Sequence, residues 1–157
     1  MFRENIDDPT PSLFGDTQME RLFQEINNSG SSFTFIVSST PFIFETDESL
    51  INYKDQFEHF MYRLKISGTE GVILLSGNGE ETKVKKYDND PEWSGADFWY
   101  PIYELNFGAI AGSDKSQNFS RIRIEGELHK RVCSIETFDS NGNIVFRKRI
   151  HEDELRF

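Results

Sequence analysis

The residues of this 157-residue chain that could carry out chemistry are few and widely spaced. The three histidines, His59, His129 and His151, have no carboxylate cluster at metal-ligand spacing beside them. The single cysteine, Cys133, excludes an internal disulfide framework and a cysteine zinc cluster. It lies in a β-branched run, so we expect a small buried strand residue rather than a nucleophile.

Serine chemistry lacks a motif as well. The serines considered as nucleophiles are Ser38, Ser39 and Ser76. The Gly-x-Ser-x-Gly pattern of a nucleophile elbow is absent, and so is a glycine-rich phosphate loop. These serines therefore give no indication of nucleophilic catalysis.

Two acidic segments have an oxygen spacing similar to that of a calcium loop. Residues 88–92 lack the central glycine and the distal glutamate of such a loop, which favours a solvated acidic loop. Residues 139–143 contain Asn-Gly between two apolar runs and are better explained as a hairpin turn. The nearby aromatic residues Trp93, Trp99 and Tyr100 could line a pocket, but a core or rim position is the better interpretation.

Composition and charge limit the function classes. The chain has 27 acidic and 17 basic residues and a net charge of −10, which disfavours binding to a phosphate backbone. Residues 1–120 hold 20 acidic and 9 basic side chains, whereas residues 121–157 hold 7 and 8. The apolar runs are too short for a membrane span. Since the start of the chain lacks the order of a signal peptide, a cytoplasmic location is the default expectation.

The chain is predicted to begin with an extended, proline-broken lead-in over residues 1–12. A helix should follow, with Thr17 and Glu20 at capping-box spacing and Asp16 as the alternative N-cap. Apolar residues then recur at helical spacing until the polar stretch that begins at Asn27. This pattern indicates a short amphipathic helix.

A strand–helix–strand unit is predicted next. Residues 32–38 are β-branched and aromatic, and their near-continuous apolarity indicates a strand covered on both faces. A helix over 48–66 and a buried strand over 71–77 follow. A crossover of this length implies that the two strands are parallel neighbours.

The rest of the chain is predicted to be β-rich, with strands over residues 82–87, 99–107, 118–125, 131–138 and 144–150. The first of these alternates charged and apolar residues, as an exposed edge strand does. Pro101 argues that its strand lies at an edge or a bulge. We therefore expect one α/β domain over residues 13–157, in which a mixed sheet with a parallel unit is followed by antiparallel strands.

Several segments, in this order, resemble the C-terminal part of the alkaline phosphatase D-like (PhoD-like) metallophosphatases. They are residues 13–18, 35–39, 71–77, 100–105 and 118–120, followed by the hairpin through Asn141 and Gly142. Together they span residues 10–150. The resemblance implies half of a four-layer sandwich, in which two β-sheets pack face to face with helices outside.

The resemblance also implies where a metal centre would lie. The family hydrolyses phosphomonoesters or phosphodiesters at a metal centre, and most of the metal ligands come from an N-terminal half that has no counterpart here. The last ligands come from a Gly-Asp-x-His turn after the buried strand. At the matching positions this chain has Gly77, Asn78, Gly79 and Glu80.

These substitutions change the chemistry of the turn. Asn78 keeps an oxygen but loses the charge of an aspartate, and Glu80 supplies a charge but no imidazole. The Gly-Asn-His-Glu signature of related phosphoesterases is an alternative match, and its histidine is missing too. We therefore interpret residues 77–80 as a vestigial metal turn, and we expect neither catalytic residues nor a metal or other cofactor.

The sequence thus predicts a non-catalytic accessory or interaction module derived from a PhoD-like metallophosphatase. The alternative is a residual metal-dependent phosphoesterase completed by a second chain or copy. We expect no nucleic-acid or membrane partner but a homodimer or another protein partner, because too few elements are present to cover the apolar strands. A curled sandwich made by one chain is the alternative. We also expect a tight turn with positive φ at Gly77.

Overall fold

The computed structural model describes residues 12–79, 82–87, 100–108 and 118–156. Within these ranges two helices and seven strands follow one another as α1 (Asp16–Asn27), β1 (Thr34–Ser38), α2 (Lys54–Ser67), β2 (Val72–Gly79), β3 (Lys83–Tyr87), β4 (Ile102–Gly108), β5 (Asn118–Glu125), β6 (Val132–Asp139) and β7 (Ile144–His151). Two short 3-10 helices, Leu50–Asn52 and Glu152–Leu155, precede α2 and follow β7. The expected lead-in lies almost entirely outside the described residues.

The first sheet contains four strands in the order β1-β2-β4-β3. β1 and β4 both run parallel to β2, whereas β3 runs antiparallel to β4 at the edge. The predicted parallel unit and the edge position of the strand predicted over residues 82–87 are therefore confirmed. The mixed sheet is explained by the long crossover through α2 and the shorter return from β3 to β4.

Two predictions about this sheet are wrong. β1 is an edge strand rather than one covered on both faces, and its Val37 is 73% exposed. β4 is an interior strand, although Pro101 indicated an edge or a bulge. The proline is compatible with this position because β4 begins one residue later, at Ile102, so no ladder hydrogen bond is lost.

Both helices lie on one face of the first sheet. The Phe57 ring of α2 contacts Tyr87 of β3 edge to face, with ring centroids 5.8 Å apart. Phe60 of α2 packs against Phe23 of α1 and against Phe42, with centroid distances of 5.7 and 5.5 Å. The helical layer is thus held by a cluster of aromatic rings, in which the four phenylalanines are buried and Tyr87 is half-buried.

The helix boundaries differ from the predicted ones. α2 begins at Lys54 rather than at residue 48, because Tyr53 leaves the helical region with φ −97° and ψ 72° after a 3-10 turn. Neither Thr17 nor Asp16 caps α1. Gly15 is the N-cap, and its carbonyl accepts hydrogen bonds from the backbone N–H groups of Gln18 and Met19.

The second sheet is the antiparallel meander β5-β6-β7. It covers the face of the first sheet that points away from the helices, since Lys148 of β7 lies over the ring of Tyr103 at 4.7 Å. Tyr87, which contacts α2, pairs with Ile102 of β4. Tyr103 is the next residue of β4, so its side chain points to the face opposite the helices. The described chain therefore forms three layers: helices, first sheet and second sheet.

The second sheet is fastened to the first beside Gly71, just before β2. The backbone N–H of Gly71 donates a hydrogen bond to the Leu155 carbonyl at 3.0 Å, and the Arg131 guanidinium donates one to the Ser32 hydroxyl at 2.9 Å. Gly71 has φ +72°, and a Cβ atom there would overlap the carbonyl oxygen of Ser32. Only glycine fits this close approach of backbones.

Among the described residues, no helix is both long and apolar enough to cross a membrane.

Candidate functional site

The carboxyl ends of β1, β2 and β4 lie side by side at one edge of the first sheet. Ser38 pairs with Ser76, and Ser76 pairs with Asn106, in the register of the three parallel strands. Ligands of open α/β sheets bind outside the carboxyl ends of the strands. This edge also contains residues 77–79 of the predicted metal turn, so it is the candidate site.

A buried carboxylate, Glu104, organises this edge. Its side chain is fully buried, and its Oε2 accepts backbone N–H groups of Ile43 at 2.6 Å and Phe44 at 3.2 Å. Its Oε1 accepts the N–H of Phe42 at 2.9 Å and the hydroxyl of Ser76 at 2.5 Å. Both oxygens are thereby used to hold the loop after β1 against β4.

The amide of Asn106 extends the same network. Its Nδ2 donates to the hydroxyl of Ser76 and to the carbonyl of Gly77, each at 3.0 Å. Ser76 and Asn106 are themselves nearly inaccessible, at 2% and 6% exposure. The hydroxyl of Ser76 donates to a carboxylate and accepts from an amide, so it is a structural link rather than an activated nucleophile.

These residues do not fit a dinuclear metal centre. A metal would need lone pairs that Glu104 has already committed to backbone N–H groups and to Ser76. Across the part of the chain that the structure describes, no three His, Cys, Asp or Glu side chains come together as a ligand set. What the arrangement does chemically is to surround a buried carboxyl group with hydrogen-bond donors and so fix a loop.

The predicted turn at Gly77 is wrong in its geometry. Residues 77–79 continue β2, whose register to β4 shifts between Ser76 and Gly79. Gly77 has no positive φ, and a Cβ atom at this position would lie 4.0 Å from its nearest neighbour, the Ser39 carbonyl oxygen. The backbone conformation at position 77 therefore does not require a glycine. Glu80 lies outside the described residues.

The structure does not bring the histidines together. His59 is exposed on α2, and His151 is exposed where β7 ends. His129 lies in the β5–β6 connection with φ +70°, and its Nδ1 is 4.0 Å from an oxygen of the buried Glu152. None of the three therefore belongs to a metal-ligand cluster within the described residues.

The two calcium-like segments have different outcomes. Residues 88–92 lie outside the described residues, as do Trp93 and Trp99. In residues 139–143, Asp139 Oδ1 accepts the N–H groups of Asn141 and Asn143 at 2.9 and 2.8 Å. The Asn143 side chain donates to Oδ2 at 3.1 Å, and these hydrogen bonds hold the pKa of Asp139 below its usual value. The prediction of hairpin turn chemistry is confirmed.

Cys133 and Tyr100 are both core residues. Cys133 has no exposed surface, and burial raises the pKa of its thiol to about 11, which confirms the predicted buried strand residue. Tyr100 is 4% exposed, and its hydroxyl donates to the Thr69 carbonyl at 2.6 Å. Burial raises the pKa of Tyr100 as well, so neither residue is poised for proton transfer.

A second buried carboxylate, Glu152, lies at the opposite end of the sheet. It accepts the N–H of Arg131 at 2.9 Å and the guanidinium of Arg156 at 2.6 Å. Burial opposes its ionisation, but the Arg131 N–H and the Ser32 hydroxyl, with Arg156 and His129 nearby, keep the pKa of Glu152 below 4.5. Its neighbours Arg156 and His129 line a cavity of about 420 Å³, together with Ser31, Thr69 and Glu70 among others.

Sequence reasoning missed the structural roles of Glu104, Asn106 and Glu152. A signal for the first two exists, because Ile102, Glu104 and Asn106 alternate along a predicted strand and so share one face. A carboxylate on the buried face of an interior strand needs several donors. Nothing in the sequence names those donors, since they are backbone groups of a distant loop.

Comparison with known proteins agrees with this fold. No family model matches the chain, and no curated protein matches it. A solved structure described as "Structure of PhoD" superposes with a TM-score of 0.58 at 13% identity, over 92% of this chain and 40% of that one. This chain therefore spans less than half the length of that structural neighbour. At this identity the likeness concerns the fold, and the chain has a PhoD-like fold.

Proposed function

We propose that this chain is a non-catalytic accessory or interaction module built on a PhoD-like fold. One observation carries the proposal: the carboxylate at the candidate edge, Glu104, is saturated by three backbone N–H groups and a serine hydroxyl. A carboxylate that serves a metal or a proton transfer must keep an oxygen free for it. Here both oxygens stabilise the fold.

The residues of the predicted metal turn support the same proposal. Where the family resemblance implies a ligand aspartate and a ligand histidine, this chain has Asn78 and Glu80. Neither residue restores the donor it replaces, because an amide oxygen is uncharged and a carboxylate is not an imidazole.

A phosphatase assay tests the proposal. The purified chain is incubated with p-nitrophenyl phosphate and its bis ester, with iron, calcium, manganese or zinc added in turn. We expect no metal-dependent turnover. Turnover that disappears in Glu80→Ala and Asn78→Ala but persists in Glu25→Ala, a matched exposed residue of α1, would contradict the proposal.

The alternative is a phosphoesterase completed by a second chain or copy. The dependence of specific activity on chain concentration, in the same assay, distinguishes it from a non-catalytic module. An enzyme assembled from two copies gains specific activity as the chain concentration rises through its dissociation constant. Metal analysis of the purified protein gives an independent readout. Stoichiometric bound metal together with concentration-dependent turnover supports the alternative, and the absence of both supports an interaction module.

A further inference from the structure

The outward face of the second sheet carries a concentration of arginines. Alternate residues of β5 and β7 place Arg121, Arg123, Arg147 and Arg149 on the face opposite the buried Ile135. All four arginines are exposed. We call these four residues, with the outward side chains between them, the arginine face.

The four arginines of this face differ in the ion pairs that they form. Arg121 and Arg147 both bind Glu136, which lies directly between them in the register, at 2.7 and 2.9 Å. In the next row Arg123 lies 3.7 Å from Glu125. No ion pair within the described residues holds Arg149. The row that contains Arg123 and Arg149 therefore has guanidinium groups available to a ligand.

An apolar area lies at the other end of the arginine face. Phe119 of β5 stacks on Phe138 of β6, with ring centroids 5.1 Å apart and planes 15° from parallel. Phe119 remains 58% exposed, and Val145, the second residue of β7 after the β6–β7 turn, is 59% exposed. Same-face rows of a sheet are about 7 Å apart, so this area lies about 14 Å from Arg123 and Arg149.

Charge indicates the chemistry of the occupant. The arginine face has four arginines against Glu125 and Glu136, although the whole chain carries −10. Arginine forks bind carboxylates in a bidentate manner, and arginine and aromatic residues are enriched at protein interfaces. We infer that the arginine face binds an acidic polypeptide segment that also carries an apolar side chain, in which two carboxylates reach Arg123 and Arg149. This inference rests on the proposed function as an interaction module.

Two other occupants are less compatible with the structure. A two-fold contact between copies through this face would place arginines against arginines. A nucleic acid brings a long array of phosphates, which the net charge of −10 repels beyond the face itself. A short acidic segment contributes few charges, and these are screened from the rest of the chain beyond about 8 Å at physiological salt.

Binding is measured by fluorescence anisotropy with a short labelled peptide. The probe has two glutamates followed four residues later by a phenylalanine, with serines elsewhere. Arg123→Gln/Arg149→Gln should weaken its binding about tenfold or more, since two charge-assisted contacts are lost. The control Arg21→Gln/Lys54→Gln removes the same charge from exposed helix positions and should stay within about twofold.

Further variants separate the contributions of the two ends. Arg123→Lys/Arg149→Lys keeps the charge but loses the fork geometry, so an intermediate affinity is expected. Phe119→Ser should weaken the phenylalanine peptide but not a peptide with serine in its place. All these positions are exposed, and an unchanged melting temperature confirms that each variant is folded.

Three results would overturn the inference: no binding of the peptide, equal weakening by the control variant, or tighter binding of oligothymidylate than of the peptide. The phosphatase assay is run on the same preparation. If the chain neither binds the peptide nor hydrolyses phosphate esters, only this inference is contradicted. If the chain hydrolyses the esters with added metal, and this activity needs Glu80, the proposed function is contradicted instead.

Discussion

The backbone N–H of Ile43 donates a hydrogen bond of 2.6 Å to Glu104 Oε2, across 61 positions of sequence. This bond and the adjacent one from Phe42 fix the loop between β1 and α2 on the middle of β4. The loop in turn carries the Phe42 ring into the aromatic cluster under the helices. One carboxylate therefore couples the candidate edge to the helical layer.

Replacing Glu104 by glutamine should be strongly destabilising. The new amide group would point a donor at backbone N–H groups that need an acceptor, so we expect Glu104→Gln to lower the free energy of unfolding by about 2–3 kcal/mol. Urea unfolding followed by circular dichroism measures the change. The control is Glu45→Gln, whose carboxylate is exposed and pairs with Lys85, and it should leave the midpoint nearly unchanged. Equal effects of the two variants would contradict a structural role for Glu104.

Three glycines should respond differently to alanine. Gly71→Ala combines positive φ with overlap on the Ser32 carbonyl, so a loss above about 2 kcal/mol or failure to fold is expected. Gly68 has φ +63° with open space around it, which predicts a loss of about 1 kcal/mol from backbone strain alone. Gly77→Ala should lie within about 0.5 kcal/mol of the wild type. Thermal unfolding ranks the three, and a different order would show that the close approach at Gly71 is not the dominant cost.

The stability contributed by Glu152 should depend on pH in one direction. Its pKa is lowered in the folded chain, so its contribution is complete above the ordinary glutamate pKa of 4.5 and is lost as the pH falls from there through the lowered pKa. Glu152→Gln removes this contribution at neutral pH. The difference in unfolding free energy between wild type and variant should therefore shrink below pH 4.5. A difference that stays constant down to strongly acidic pH would contradict the lowered pKa.

Cys133 should be unreactive in the folded protein. Burial raises the pKa of the thiol to about 11 and leaves no surface for a reagent. At about pH 8 we expect no reaction with dithionitrobenzoate before unfolding, and release of one equivalent of chromophore in concentrated guanidinium. Serum albumin, with an accessible thiol, is the control for the reagent. Rapid labelling of the native chain would show that the second sheet opens readily.

Self-association stays a prediction. If the exposed edge strand β1 pairs with a second copy, light scattering after size-exclusion chromatography should give twice the mass of one chain. Val37 is 73% exposed on this edge, and Val37→Lys should shift the protein towards the monomer, since an edge lysine opposes strand pairing. A single-chain mass for the wild type at micromolar concentration would support the curled sandwich.

Local sequence pattern predicted most of the elements of this fold. The hairpin around Asn141 and Gly142 and the alternation along β5 and β7 are local features, and the structure places both as predicted. The helix boundary at Tyr53 and the N-cap at Gly15 were missed, because caps depend on backbone angles that residue type does not determine.

The candidate site was only partly predictable. The position of the edge follows from the parallel unit, and the chemistry of Asn78 follows from its residue type. The role of Glu104 does not follow, because its partners are backbone N–H groups supplied by a loop 61 and 62 positions away. Pairing across such distances is set by the tertiary fold, and the sequence pattern reports only local periodicity.

The hydrogen bond from Gly71 to Leu155 has a consequence for the order of folding. The meander β5-β6-β7 is built from neighbouring strands and can form quickly once it is synthesised, because its contacts close short loops. Its attachment beside β2 joins residues far apart in sequence, and it cannot be made until Leu155 has left the ribosome. During synthesis the face of the first sheet that contains Tyr103 is therefore exposed for longer than the face that the helices cover.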